Sequence, residues 1–299
     1  MIPSEMVADA RRHLDASDRF FTGEEVMDRL HAAQQELIRS IVKEDPSFYV
    51  QRYDLSLVGG TGLYDLPLNS RMGTRIIFAE NLAAPNKQDI PPAQLRNYLG
   101  IESPGIVNLT EHWHFILEGG QVRITPTPAA SVASAIRLWY VPSYGNMVEG
   151  NPSAVTSTTL DFFTTDPDYT TNHGKVDRRN DFYNGMEVRV TAGTGVGQTR
   201  TITDYDGTNR RITVATWDTT PDTSSTFAVI SPVPEDHHST VSVRAAMVMA
   251  VKNRNRQRDL QNIYYGTPND RGLFYELLGW IQRRQDSRLE TVDIVDFGY

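Results

Sequence analysis

Two helical ends enclosing a long run of short alternating strands constrain this chain more than any other feature. Val26, Leu30, Ala33, Leu37 and Ile41 recur at steps of four, three, four and four, which places all five on one face of a helix. Ahead of them Thr22 and Glu25 stand three apart. At that spacing each side chain can satisfy a backbone N–H at the other position, forming a capping box. Asp45-Pro46 stops the helix, because proline disfavours helical geometry in the residue before it. Pro3-Ser4 opens a shorter helix running to about Leu14.

From Phe48 the period switches to two. FYVQRYDLSLV (48–58), Gly59-Gly60 and LYDLP (63–67) read as strand, turn and strand, and TRIIFAE (74–80) as a short buried strand. IPPAQLRNYLG (90–100) suggests one or two helical turns. HWHFIL (112–117) and QVRITP (121–126) form a hairpin across Gly119-Gly120, and AIRLWYV (135–141) is a further strand. Residues 151–171 are rich in Thr, Ser, Asp and Pro, and four strands follow at 186–192, 198–205, 210–217 and 226–231. These predict a small barrel or sandwich inserted over 152–232 into a parent domain made of 1–151 and 233–299. The fold class is α+β, with a helical bundle built from both chain ends.

One helix is expected from about Asp236 or Ser239 to Tyr265, with Val241, Ala245, Val248 and Lys252 sharing a face. Gly266-Thr267-Pro268 breaks it. Asn269 or Asp270 caps a last helix whose stripe is Leu273, Leu277, Trp280 and Ile281, with Arg283 and Arg284 near its C-terminal end, where cations are favoured. The tail over 289–299 alternates polar and apolar residues.

Composition excludes several chemistries. The chain has no cysteine, so disulfides, thiolate metal sites and cysteine nucleophiles are ruled out. No apolar run approaches the roughly 20 residues of a membrane helix, and the N-terminus lacks the apolar core of a signal peptide. The net charge of −8 is uneven. Residues 244–288 carry nine Lys/Arg against four acids, a net +5 that leaves −13 on the remainder. A basic helical end on an acidic body calls for a partner, either nucleic acid or an acidic protein surface.

The candidate active groups each have a plainer reading. Gly193, Gly195 and Gly197 resemble a phosphate loop, but they lie between two strands and no P-loop Lys-Ser/Thr follows, so a hairpin turn is expected. His112 and His114 share a strand face, yet a metal needs a further ligand, for which Glu111 or Glu118 are the neighbours. Glu235, Asp236, His237 and His238 stand where acids cap a helix. There is no G-x-S-x-G elbow. Lys252, Arg254, Arg256 and Arg258 are spaced by two, which spreads charge around a helix instead of forming one stripe. No catalytic residue, cofactor or metal is assigned.

Several segments together resemble a tailed-bacteriophage head-to-tail adaptor (connector, neck) protein. They are TGEEVMDRLHAAQQELIRSI (22–41), Tyr64 to Pro67, RITPTPA (123–129) leading to AIRLWYVPSY (135–144), and the two C-terminal helices with their extended tail. The resemblance implies a structural virion protein, not an enzyme. It would assemble with copies of itself as a twelve-fold ring below the portal protein, extend the channel for double-stranded DNA and offer a platform to tail components. It also implies that the last helix, through Leu273, Leu277, Trp280, Ile281, Arg283 and Arg284, docks on the portal together with Ile294, Val295, Phe297 and Tyr299 of the tail. An acidic lumen would repel phosphates and keep DNA from sticking. Two rival readings remain: a cell-wall-degrading protein acting through a carboxylate pair, and a receptor- or carbohydrate-binding β module in which Tyr205, Trp217 and Phe227 stack on a sugar.

Overall fold

A computed structural model describes residues 1–14, 21–70, 76–83, 88–92, 113–163, 168, 171–252 and 254–289, apart from the side chains of 252, 254 and 285–289. The chain forms two compact units. One comprises 1–45 and 144–299, the other 46–143.

The first unit joins helices to a curled sheet. Helix α1 spans Pro3–Leu14 and α2 spans Gly23–Glu44. The capping box is present: Glu25 N donates to Thr22 Oγ1 at 3.2 Å, and Thr22 N donates to Glu25 Oε2 at 3.0 Å. The whole predicted stripe of α2 is buried, from Val26 to Ile41. Both helices pack on α3 (His238–Met249). The single helix expected through Tyr265 is divided by a 3-10 turn at Ala250–Lys252, and α4 runs Arg254–Tyr265. On α3 the expected face also fails, since Val248 is exposed while Thr240, Val241, Ser242, Val243, Ala245, Ala246 and Met247 are all buried. A helix with neighbours on several sides is buried over most of its circumference and shows no single stripe. Helix α5 (Leu273–Leu289) packs on α4, α2 and α3.

The sheet of this unit has the order β8-β14-β11-β12-β13-β10-β9. Its strands are β8 (Val148–Gly150), β9 (Ala154–Val155), β10 (Thr159–Asp161), β11 (Glu187–Ala192), β12 (Thr199–Asp206), β13 (Arg211–Val214) and β14 (Thr226–Val229). The two edge strands, β8 and β9, are only three residues apart in the chain, so the sheet curls until its edges approach each other. Aromatic rings fill the interior. Phe162 stacks on Phe227 at 5.1 Å and meets Tyr183 edge-on at 5.2 Å, and Tyr183 meets Tyr205 at 4.6 Å.

A short segment fastens helices to sheet. His31 Nε2 lies 3.0 Å from the Met147 carbonyl, Gln34 Nε2 donates to Gly145 O at 3.2 Å, and Gln35 Nε2 donates to Tyr144 O at 3.0 Å. The buried Glu149 carboxylate accepts from Ser4 N at 2.7 Å and from Ser4 Oγ at 3.0 Å. It thereby satisfies a first-turn amide of α1 that has no partner within the helix.

The second unit is a β-sandwich. One sheet has the order β1-β7-β3-β4, from Gln51–Leu57, Val132–Tyr140, Ile76–Asn81 and Gln88–Asp89. The other has the order β2-β6-β5, from Leu63–Asp65, Gln121–Thr125 and His114–Glu118. Leu55, Leu57, Ala79, Ile136 and Leu138 on the first sheet share a core with Tyr64, Phe115, Val122 and Ile124 on the second. The expected hairpin is β5–β6, with His114 opposite Thr125 and Glu118 opposite Gln121. Of the helical turns expected over 90–100, only 90–92 are described, and Pro92 bridges Phe115 as part of a β contact.

The expected division at 152–232 differs from the one observed. The strands of that segment share a sheet with β8 and a unit with the helices, and it is 46–143 that stands apart. The composition change near 151 falls between β8 and β9 of one sheet, whereas the observed boundaries fall at Asp45-Pro46 and at 143–144.

Two consequences can be measured by urea denaturation followed through helical circular dichroism. Glu149→Ala removes a charged acceptor from two donors and lowers stability by about 2 kcal/mol. His31 is held neutral mainly by burial, which lowers its pKa to about 4, against the weaker raising effects of the Met147 carbonyl and Asp28. The unfolded chain binds that proton near pH 6.5 and the folded protein only near 4. Stability is therefore full above about pH 6.5 and falls by about 3 kcal/mol as pH drops to 4. The His31→Gln variant loses this part of the pH dependence.

Candidate assembly surfaces

Among the described residues of this unit, the large exposed apolar side chains other than Val196 lie on the run from α3 to α5. Among the described side chains of α4, Leu260 and Tyr264 are the buried ones. Tyr264 stacks on Phe274 at 5.4 Å and meets Tyr265 edge-on at 4.8 Å. The Arg244 guanidinium lies 5.7 Å from the Tyr264 ring and its Nε donates to Glu36 Oε2 at 2.9 Å. Burial raises the Tyr264 phenol well above its ordinary range, so it stays protonated. Next to Tyr264 and the half-buried Phe274, Tyr265 is 43% and Tyr275 50% exposed, their rings 6.5 Å apart. Val248, Val251 and Ile263 are exposed on the same run of elements. Sequence reasoning missed this patch. Its signal was the doublets Tyr264-Tyr265 and Phe274-Tyr275 on either side of the Gly266–Gly272 turn, with the first ring of each directed inward.

The stripe of α5 expected to dock faces its own chain. Leu277 and Ile281 are fully buried, and Leu273 and Trp280 are half-buried, with the Trp280 ring 5.8 Å from that of His237. The outward face carries Tyr275, Glu276, Gln282 and Arg283, and Arg284 is half-buried. Ile294, Val295, Phe297 and Tyr299 lie outside the described residues. The turn before α5 is a two-stranded pair, Gly266–Thr267 with Asp270–Arg271. The Gly272 carbonyl starts the helix, so neither Asn269 nor Asp270 caps it as expected.

The basic run divides by role. Arg256 Nε donates to His13 O at 2.5 Å, at the C-terminal end of α1, where a cation is favoured. Arg258, Arg271 and Arg283 are exposed.

The other candidate residues have structural duties. Gly193, Gly195 and Gly197 have φ of 81°, 79° and 88° in the turn joining β11 to β12, the conformation glycine tolerates best. Glu118 is held by Arg123 through two bonds of 2.5 and 2.9 Å, His114 lies on the same strand, and His112 and Glu111 are outside the described residues. Among the described residues no three His, Asp or Glu side chains gather as a metal requires. The expected cap at Glu235–His238 is absent, since α3 begins without a side-chain cap bond. Instead Glu235 accepts from both Arg189 guanidinium nitrogens at 3.0 and 3.1 Å, which holds its carboxyl well below the usual range. Tyr205, Trp217 and Phe227, the expected sugar platform, are at most 3% exposed and belong to the core of the curled sheet.

Among the described residues, the candidate groups read from the sequence serve turns, ion pairs and packing. The family model of the SU10 adaptor protein matches residues 1–169, more than half of the chain, and the chain belongs to that family of phage structural adaptors. The matched residues take in α1, α2, the whole sandwich unit and the first strands of the curled sheet, while the C-terminal helices lie beyond them. No curated protein and no solved structure matches the chain. No described helix is long and apolar enough to cross a membrane.

Burial separates packing from docking on α5. Leu277→Ala costs about 2–5 kcal/mol of stability through the cavity it leaves. Arg283→Ala changes stability by no more than about 0.5 kcal/mol, as expected of an exposed side chain. Thermal melts of the two variants test the contrast.

Proposed function

We propose that the protein is a head-to-tail adaptor of the virion neck, assembling with copies of itself as a twelve-fold ring below the portal. In this reading the ring extends the channel through which double-stranded DNA passes without sequence-specific contact, and it carries tail proteins. The observation that carries the proposal is membership of the SU10 adaptor family over residues 1–169. The charge distribution supports it: residues outside 244–288 sum to −13, a sign that repels phosphates from a channel wall.

Portal docking is assigned to α5, through Arg283 on its outward face and the half-buried Arg284 and Trp280 beside it, and to the tail bearing Ile294, Val295, Phe297 and Tyr299. Alternating apolar residues in an extended tail suit addition to a groove or sheet edge on a partner. Leu273, Leu277 and Ile281 support this surface from behind, through their packing within the chain.

Native mass spectrometry of the protein, alone and mixed with candidate portal rings, tests the proposal. Formation of a ring-sized species, alone or with portal, is expected. A monomer under every condition, unchanged by portal, would overturn the adaptor reading.

A further inference from the structure

One open cleft in the curled-sheet unit has no part in the surfaces above. It has a volume of about 480 Å³ and is lined by Arg178, Gly207, Thr208, Asn209 and Arg210. Its walls are two loops locked together. A Cβ on Gly207 would lie 2.2 Å from the Arg178 carbonyl oxygen, so only glycine permits this approach. Gly207 N donates to Asn180 Oδ1 at 2.8 Å, and the Tyr205 hydroxyl donates to the Asp177 carbonyl. Asp206 Oδ1 accepts from the amides of Thr208 at 2.8 Å and Asn209 at 3.2 Å, and Asp206 Oδ2 accepts from Asn209 Nδ2 at 2.6 Å. The cleft is therefore formed before any ligand arrives. Arg210 is held in it with φ of 55°, a left-handed conformation that is uncommon for a non-glycine residue.

Most of the charges around the cleft are paired. Arg179 is paired with Asp177, and Arg211 with Asp161. Asp206 is occupied by its own turn. Arg178 and Arg210 remain: among the described residues neither has a carboxylate partner, and the one side-chain bond of Arg210 is to the Phe163 carbonyl at 3.2 Å. A guanidinium is a planar fork that pairs bidentately with phosphate oxygens, and two arginines without a carboxylate partner line this one cleft. Thr208 and Asn209 line the same cleft.

We propose that this cleft binds a phosphate group, carried either by a small molecule or by a nucleic-acid strand. This proposal does not rest on ring formation or on portal docking.

Isothermal titration of the full-length protein at constant ionic strength tests this, using inorganic phosphate, a nucleoside monophosphate, succinate and a short single-stranded oligonucleotide. Binding of phosphate or the monophosphate is expected, with succinate weaker. Arg178→Ala or Arg210→Ala should each weaken it about tenfold, and the double variant should abolish it, while Arg258→Ala leaves it unchanged. Binding of the oligonucleotide alone, lost in the same double variant, would identify nucleic acid as the source of the phosphate. Succinate binding as tightly as phosphate, binding insensitive to both arginines, or no binding in any arm would overturn the proposal. Circular dichroism of the double variant confirms that it is folded, and native mass spectrometry reads ring assembly separately, so failure here is distinguishable from failure of the adaptor reading.

Discussion

The helical half and the sheet half of the larger unit depend on one short segment, residues 144–150. Its backbone carbonyls at Tyr144, Gly145 and Met147 are read by Gln35, Gln34 and His31 of α2. Its Glu149 side chain closes the N-terminus of α1, and its strand β8 pairs with β14. Polar side chains on a buried helix face are costly unless each finds a partner. Here the partners are main-chain groups, which no side-chain substitution along the strap removes. Close packing enforces the register: a Cβ on Gly145 would lie 2.9 Å from the Tyr183 ring, and a Cβ on Gly150 would lie 2.1 Å from Asn172 Oδ1.

Much of the local structure was legible in the sequence because it rests on local rules. The capping box at Thr22 and Glu25, the stripe from Val26 to Ile41, the stop at Asp45-Pro46 and the glycine turn at 193–197 follow from spacing and backbone chemistry. Association between distant segments was harder to read. The composition change near 151 suggested a boundary, but β8 on one side of it and β14 beyond residue 225 share a sheet. Helix α3 defeated the search for a stripe because α1, α2, α4 and α5 surround it. Tyr205, Trp217 and Phe227 were equally suited by type to a binding platform or a core. Only the curl of the sheet decided between them.

The same ambiguity governs the candidate surface. Leu277 and Ile281 have the spacing of a docking stripe, and helices that pack within their own chain have that spacing too. The residues left for a partner are the second rings of two aromatic doublets and the arginines outside the stripe. Aromatic and arginine side chains dominate protein interfaces because they bury large area at modest entropic cost. The family match ends at residue 169, so these C-terminal residues lie outside it.

The pairing of β8 with β14 also dictates an order of events on the ribosome. The sandwich over 46–143 holds all its strands within one continuous stretch and can close once that stretch has emerged. The stripe of α2 must wait for α3, whose first residue is about 200 positions further along, and β8 must wait for residues 226–229. Throughout that interval the nascent chain displays an apolar helix face and an unpaired strand, both prone to non-native association. The architecture thus makes the larger unit a late and slow folder built from distant contacts, and it makes holding the unfinished N-terminal helices apart the chief demand this chain places on the host's chaperones.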